Sequence, residues 1–151
     1  MLGRNYYWEC REFQYYNIMP IALIEDFIDD GEVNGPLDYR FWCFQGKPEI
    51  IQVDNNAHDI NPFYDLEWRK LDLRYRNDCR DVVVQQPENF DEMLRVATKL
   101  ATGIDFVRVD LYNVKGEIYF GELTFTPVAG RLKFQPEIWD RKLGQKWIVA
   151  K

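Results

Sequence analysis

A chain of 151 residues, 46% hydrophobic and 16% aromatic, is too rich in large apolar groups to stay disordered and long enough to bury one core without metal or disulfide staples. Its formal net charge of -6 at pH 7 and pI near 4.9 argue against a nucleic-acid partner or an electrostatic grip on anionic lipid. Cys10, Cys43 and Cys79 lack CxxC spacing, which speaks against a disulfide framework or zinc site and suits a reducing cytoplasm; MLGRNYYWEC lacks the apolar core of a signal peptide, and no apolar run is long enough to span a bilayer.

Residues 1 to 19 interleave Tyr6, Tyr7, Trp8, Phe13, Tyr15 and Tyr16 with Arg4, Glu9, Arg11 and Glu12. Such rings can stack on bases or sugars, but packing against a neighbouring element, inside or outside this chain, is the simpler reading. After Pro20, the run Ile21 to Ile28 reads as a buried strand interrupted by Glu25 and Asp26. Asp29 to Pro36 is a loop. Leu37 to Phe44 and Glu49 to Val53 read as a hairpin turning through Gln45, Gly46, Lys47 and Pro48. Asp38, Arg40 and Trp42 share one of its faces, and spacing alone favours an exposed, energetically minor pair for Asp38 and Arg40.

From Asp54 to Pro87 the periodicity fades. This stretch holds the single histidine, His58, which has no second His or Cys at ligand spacing and reads as a surface residue rather than a ligand or base. Arg69, Lys70, Arg74, Arg76 and Arg80, mixed with acids, read as a solvated, charge-balanced surface. Asn89 to Ala101 is an amphipathic helix: Phe90, Met93, Leu94, Ala97, Leu100 and Ala101 form its apolar stripe, Asn89 and Glu92 a capping box, and Gly103 its stop. A second, shorter helix is expected over Glu137 to Leu143, ended by Gly144.

Between the helices, Phe106 to Pro127 reads as two strands joined by a turn at Gly116. A two-residue loop, Lys115 and Gly116, would pair Val109 with Glu122 and put Asp110 and Glu122 on opposite faces. A three-residue loop from Val114 to Gly116 would pair Arg108 with Glu122 instead, collecting Val107, Val109, Leu111, Leu123 and Phe125 on one face and Arg108, Asp110, Glu122 and Thr124 on the other. The apolar pattern favours the second register. Asp110 and Glu122 then admit three readings: a structural network with Arg108, an acid and base pair, or the ligands of a hard cation. Spacing favours the first. A magnesium site would need few carboxylates, and an adjacent arginine would suit developing charge on a phosphate or acyl oxygen. No GxxxxGK, GxGxxG or GxSxG motif competes with these readings, and a magnesium-dependent phosphodiesterase rests on the carboxylate pair alone.

Arg108-Val109-Asp110, followed by Gly121-Glu122-Leu123-Thr124 and Pro127, resembles the closing motif of ATP-grasp enzymes, in which an R-x-D strand and an E-x-N strand hold magnesium against ATP. With NYYWECREFQYYNI, IEDFI, DYRFWCFQGKP, FVRVDLYN and IYFGELTFTP, the chain resembles the TupA-like ATP-grasp family of polysaccharide and teichuronopeptide biosynthesis over nearly its whole length. The resemblance implies an α+β fold, an antiparallel sheet with flanking helices like the C-terminal lobe of an ATP-grasp enzyme. It implies ATP and Mg2+ as cofactors, with Asp110, Glu122 and Thr124 at the metal and Arg108 steadying the reacting phosphate or oxyanion. Glu25, Asp26 and Ile28 match the hinge that reads adenine; Asp38 falls where an acid meets the ribose, and Arg40 where a base approaches the phosphates.

Thr124 stands where most ATP-grasp enzymes carry asparagine, and Val128 where a glycine often follows the proline. Residues 1–151 are expected to form one partial ATP-grasp domain, its lysine-bearing N-terminal lobe lying outside the chain, so that a separate lobe or a second copy becomes a partner. The implied activity is ATP-dependent joining of a carboxylate to the amine of a small-molecule or polymer substrate; the competing expectation is a non-catalytic remnant that binds.

Overall fold

The computed structural model describes residues 4–31, 35–75 and 78–149; Arg76 and positions 32–34 of the expected loop lie outside these. Strands β1 (Asp38–Phe44), β2 (Lys47–Asp54), β3 (Phe63–Tyr64), β4 (Phe106–Val114) and β5 (Glu117–Thr124) form a five-stranded antiparallel sheet in the order β3-β2-β1-β4-β5. Helices α1 (Tyr7–Cys10), α2 (Phe90–Ala101) and α3 (Ile138–Gly144) flank it. This is the expected α+β arrangement. No helix among the described residues is long and apolar enough to cross a membrane.

Alternation along the strands divides the sheet. Tyr39, Phe41 and Cys43 of β1, Ile51 and Val53 of β2, and Val107, Val109 and Leu111 of β4 pack against Phe90, Met93, Ala97 and Ala101 of α2. Helix α2 therefore presents the predicted stripe, and Gly103, at φ 80°, follows its end in the left-handed conformation. The capping box does not form. Asn89 makes no side-chain cap; its amide donates to Gly116 O at 2.8 Å and its Oδ1 accepts from Asn113 Nδ2 at 2.5 Å. The tertiary tie to the β4–β5 hairpin outcompetes the local cap.

On the opposite face, Trp42, Phe44, Ile50, Phe63 and Phe106 bury against Leu73, Phe134 and Leu143 from flanking segments. That cluster covers one end of the face only.

Both hairpins turn more tightly than the sequence reading expects. Gln45–Gly46 (φ 51° and 76°) and Lys115–Gly116 (φ 54° and 84°) are two-residue turns in the left-handed region, the geometry whose twist matches that of the strands. Lys47 and Pro48 consequently belong to β2. In the β4–β5 hairpin, Val114 pairs with Glu117, Asp110 with Glu122 and Arg108 with Thr124, so the expected pairing of Arg108 with Glu122 is wrong. The face assignment survives because the extra residue lies elsewhere: Leu111 pairs with Phe120, leaving Gly121 as a bulge that reverses parity inside the strand. A Cβ at Gly121 would lie 3.0 Å from the Asp110 carbonyl oxygen and 3.2 Å from the Tyr112 ring, so the close approach calls for glycine.

The expected strand over Ile21 to Ile28 is absent. No strand among the described residues pairs with it, and Ile24 is 98% exposed with Leu23 and Phe27 little less so. An apolar run becomes a buried strand only where a neighbour takes up its backbone groups and covers a face, and no described element does so. The aromatics before it pack largely on one another, Tyr6 with Tyr15 and Tyr7 with Tyr16 at centroid separations of 5.0 Å. Gln14 Nε2 donates to Thr126 Oγ1 at 2.7 Å, tying this segment to the end of β5.

Candidate functional site

The other end of the second sheet face carries charge, with Asp38, Arg108 and Asp110 buried there. Arg108 on β4 donates through Nε to Asp110 Oδ1 at 2.8 Å, and through Nη2 to Asp110 Oδ2 at 2.5 Å, Glu122 Oε1 at 3.1 Å and Thr124 Oγ1 at 3.0 Å. The Thr124 hydroxyl in turn donates to Glu122 Oε1 at 2.9 Å. Antiparallel pairing makes this possible, since Asp110 and Arg108 lie directly across from Glu122 and Thr124.

Arg40, across from Asp110 on β1, binds Asp38 Oδ2 through Nε at 2.7 Å and Asp54 Oδ2 through Nη1 at 2.5 Å; its Nε is 3.6 Å from Asp110 Oδ2. The expected exposed pair of Asp38 and Arg40 is thus a buried one, each side chain only 12% accessible. Sheet pairing on both sides of β1 encloses them. His58 Nδ1 lies 3.1 Å from Asp54 Oδ2; its ring is largely exposed, as expected, but it belongs to the charged cluster.

Four carboxylates, Asp38, Asp54, Asp110 and Glu122, thus share two guanidiniums. Burial raises the pKa of Asp110 to about 7, against the pull of Arg108; Asp38 is raised by burial too, although Arg40 opposes it. Burial works against the charge on Arg40, but Asp38, Asp54 and Asp110 together shift its pKa upward. Asp38 Oδ1 is buried with no hydrogen-bond partner among the described residues, an acceptor available to a ligand donor.

Beside this cluster an open cavity of about 650 Å³ is lined by Arg40, His58, Arg108, Val128, Arg131 and Lys133. Val128 (φ 53°), Ala129 (φ 51°) and Gly130 (φ 71°) take the left-handed conformation in succession, strained for valine and alanine. The chain turns there, after Pro127, and Arg131 and Lys133 follow in the cavity wall.

Of the nine residues singled out in the sequence, the fold brings together Asp38, Arg40, Arg108, Asp110, Glu122 and Thr124. Glu25, Asp26 and Ile28 instead line a cavity of about 610 Å³ with Val114 and Lys115 at the β4–β5 turn. Sequence reasoning missed Asp54, Arg131 and Lys133. Asp54 faces Asp38 across β1 and β2 and could have been found from a two-residue turn at Gln45–Gly46; nothing periodic marks Arg131 or Lys133. The arginine-rich stretch is a solvated surface as expected: Arg69 pairs with Asp65 and Glu67, Lys70 with Asp81, and Arg80 with Asp59.

No group of three or more His, Cys, Asp or Glu side chains among the described residues is arranged to hold a metal ion. Two carboxylates and a hydroxyl, all hard oxygen donors, do fit magnesium, which is bound through one or two carboxylates and keeps several waters. A family model described as TupA-like ATPgrasp matches residues 1–148. No curated relative and no solved structure matches the chain.

Proposed function

The chain belongs to the TupA-like ATP-grasp family, and from that premise we propose that it provides the carboxylate-bearing part of an ATP-dependent carboxylate–amine ligase acting on cell-surface polysaccharide or polymer. In this reading a lysine-bearing lobe completes the nucleotide site. The observation that carries the proposal is the juxtaposition of Asp110, Glu122 and Thr124 across two paired strands, with the Arg108 guanidinium among them. Asp110 and Glu122, with the Thr124 hydroxyl, would hold Mg2+, whose contribution when bound is to neutralise phosphate charge. Arg108 would steady negative charge on the phosphoryl group or acyl oxygen. The unpartnered Oδ1 of Asp38 supports its assignment to a ribose hydroxyl, and Arg40, which lines the cavity beside it, would approach the phosphates. Backbone groups near Asp26 and Ile28, with Glu25 close by, would read adenine.

The reaction class is activation of a carboxylate by ATP as an acyl phosphate, followed by attack of an amine. Hydroxylamine provides a generic acceptor: with the lysine-bearing lobe supplied in trans, incubation with Mg·ATP and a panel of sugar acids and amino acids should give ADP and hydroxamate in equal amounts, and Arg108→Ala should abolish both. ADP formed without hydroxamate across the panel would contradict the ligase reading. The exposed apolar run Ile21 to Phe27 favours a second reading, a non-catalytic module that associates through this segment; it predicts no magnesium-dependent nucleotide binding.

A further inference from the structure

The three groups assigned to the metal are all engaged by one nitrogen. Arg108 Nη2 lies 2.5 Å from Asp110 Oδ2, 3.1 Å from Glu122 Oε1 and 3.0 Å from Thr124 Oγ1. A magnesium ion bound to those same oxygens at about 2.0–2.1 Å would compete with the guanidinium for their lone pairs, and two cations drawn to one set of oxygens repel one another.

Arg40 presents a different case. It holds Asp38 and Asp54 and only approaches Asp110, at 3.6 Å, so a metal at Asp110 and Glu122 leaves its main partners in place. Arg108 has no carboxylate partner other than Asp110 and Glu122 among the described residues. If displaced it needs a new anion, and it lines the cavity that Arg131 and Lys133 also line. Neither of those two forms an ion pair with a described residue. The cavity therefore offers an arriving polyphosphate the cationic side chains of Arg40, Arg108, Arg131 and Lys133, against the single carboxylate of Asp54.

We propose that Arg108 is the resident counter-cation of the Asp110–Glu122 site and gates metal specificity: a bare divalent ion is disfavoured, and one arriving with a polyphosphate is accepted because the guanidinium transfers from the carboxylates to the phosphate. This rests on the metal reading of Asp110 and Glu122. Metal and polyphosphate are then coupled ligands, each raising the affinity of the other by the same factor. The residue that stabilises phosphate charge is also the one that keeps the carboxylates neutralised beforehand.

Binding of Mn2+ to the full chain, followed by electron paramagnetic resonance of the free ion, tests this with Mn2+ alone and with Mn2+ plus AMPPNP. The wild type should bind bare Mn2+ weakly and gain about tenfold with the nucleotide, within the usual range of coupling between sites. Arg108→Met should bind bare Mn2+ about tenfold more tightly than wild type and lose most of the gain. Asp110→Asn with Glu122→Gln should bind neither form. Wild type and Arg108→Met binding bare Mn2+ equally would overturn the gating while leaving the metal reading intact; no Mn2+ bound by either, with or without nucleotide, would overturn both. Should Arg108→Met fail to fold, Arg108→Lys, which keeps the charge but loses the paired Nε and Nη2 contacts to Asp110, should show a smaller gain in the same direction. Within the wild type, the Arg108 Nε–H signal in 15N spectra should shift when Mg·AMPPNP saturates the protein, and an unchanged signal would count against the transfer.

Discussion

The two faces of the sheet are built from alternate residues of the same strands yet solve opposite problems. Under α2, Phe41, Val53, Met93, Ala97, Val107, Val109 and Leu111 are fully buried and apolar; removing their area from water stabilises the fold. One residue along, Arg40, Arg108 and Asp110 are also buried or nearly so, and there burial costs free energy that only mutual pairing offsets. The strand period of two lets nine residues of β4 serve both ends. The face under α2 supplies the rigidity that holds the charged groups in place.

This contrast predicts different responses to substitution. The largest effect expected is on the charged face: Asp110→Ala leaves Arg108 with the exposed Glu122 as its sole carboxylate partner among the described residues and should destabilise the metal-free protein by about 3–5 kcal/mol, whereas Arg108→Met with Asp110→Leu should be neutral or stabilising by about 1–4 kcal/mol. Chemical denaturation measures both; similar losses for the single and the double substitution would break the comparison. On the apolar face, Met93→Ala removes a fully buried side chain and should cost about 2–5 kcal/mol, with Mn2+ affinity of the folded protein unchanged. A change in that affinity would mean that the faces are not separable.

The sequence exposed the apolar face more readily than the charged one, for a physical reason. The stripe from Phe90 to Ala101 and the alternation of Val107, Val109 and Leu111 repeat at the periods of helix and strand, so the apolar spacing reports them. The charged face depends on register. Its side chains come together only because Gly121 is bulged opposite Asp110 and Leu111, and a bulge inside the strand and one at the turn leave the same apolar pattern. Asp54 joins through a turn two residues shorter than expected, Arg131 and Lys133 through a left-handed passage at Val128 and Ala129 that no periodicity encodes. At Ile21 to Ile28 the opposite happened: the composition of a buried strand was legible, but burial needs a partner surface and no described element supplies one.

A smaller effect follows from the passage beside the site. Val128 at φ 53° and ψ 36° is strained, and Val128→Gly should stabilise the fold by about 1–2 kcal/mol if the backbone stays as it is. A loss of stability would show that the valine side chain contributes more than its strain costs.

A separate distinction is in pH dependence. Asp110, raised from 3.8 to about 7, keeps its proton in the folded state over a range where the unfolded chain has released it. Its contribution thus favours folding most at the acid end and declines as pH rises between those two values. Arg108 and Arg40 oppose this shift and Asp38 reinforces it. Metal-free stability should show that slope in the wild type and lose it in Asp110→Asn, with Met93→Ala keeping it; a slope unchanged in Asp110→Asn would assign it to another group.

The magnesium site proposed at Asp110 and Glu122 is open to direct measurement. Isothermal titration calorimetry with AMPPNP, in the presence and absence of Mg2+, tests it on the wild type and on Asp110→Asn with Glu122→Gln. Nucleotide binding should depend on Mg2+ in the wild type and be lost in the double variant, with the lysine-bearing lobe supplied in trans where it is needed. Binding that is indifferent to Mg2+, or equal in the two proteins, would contradict it.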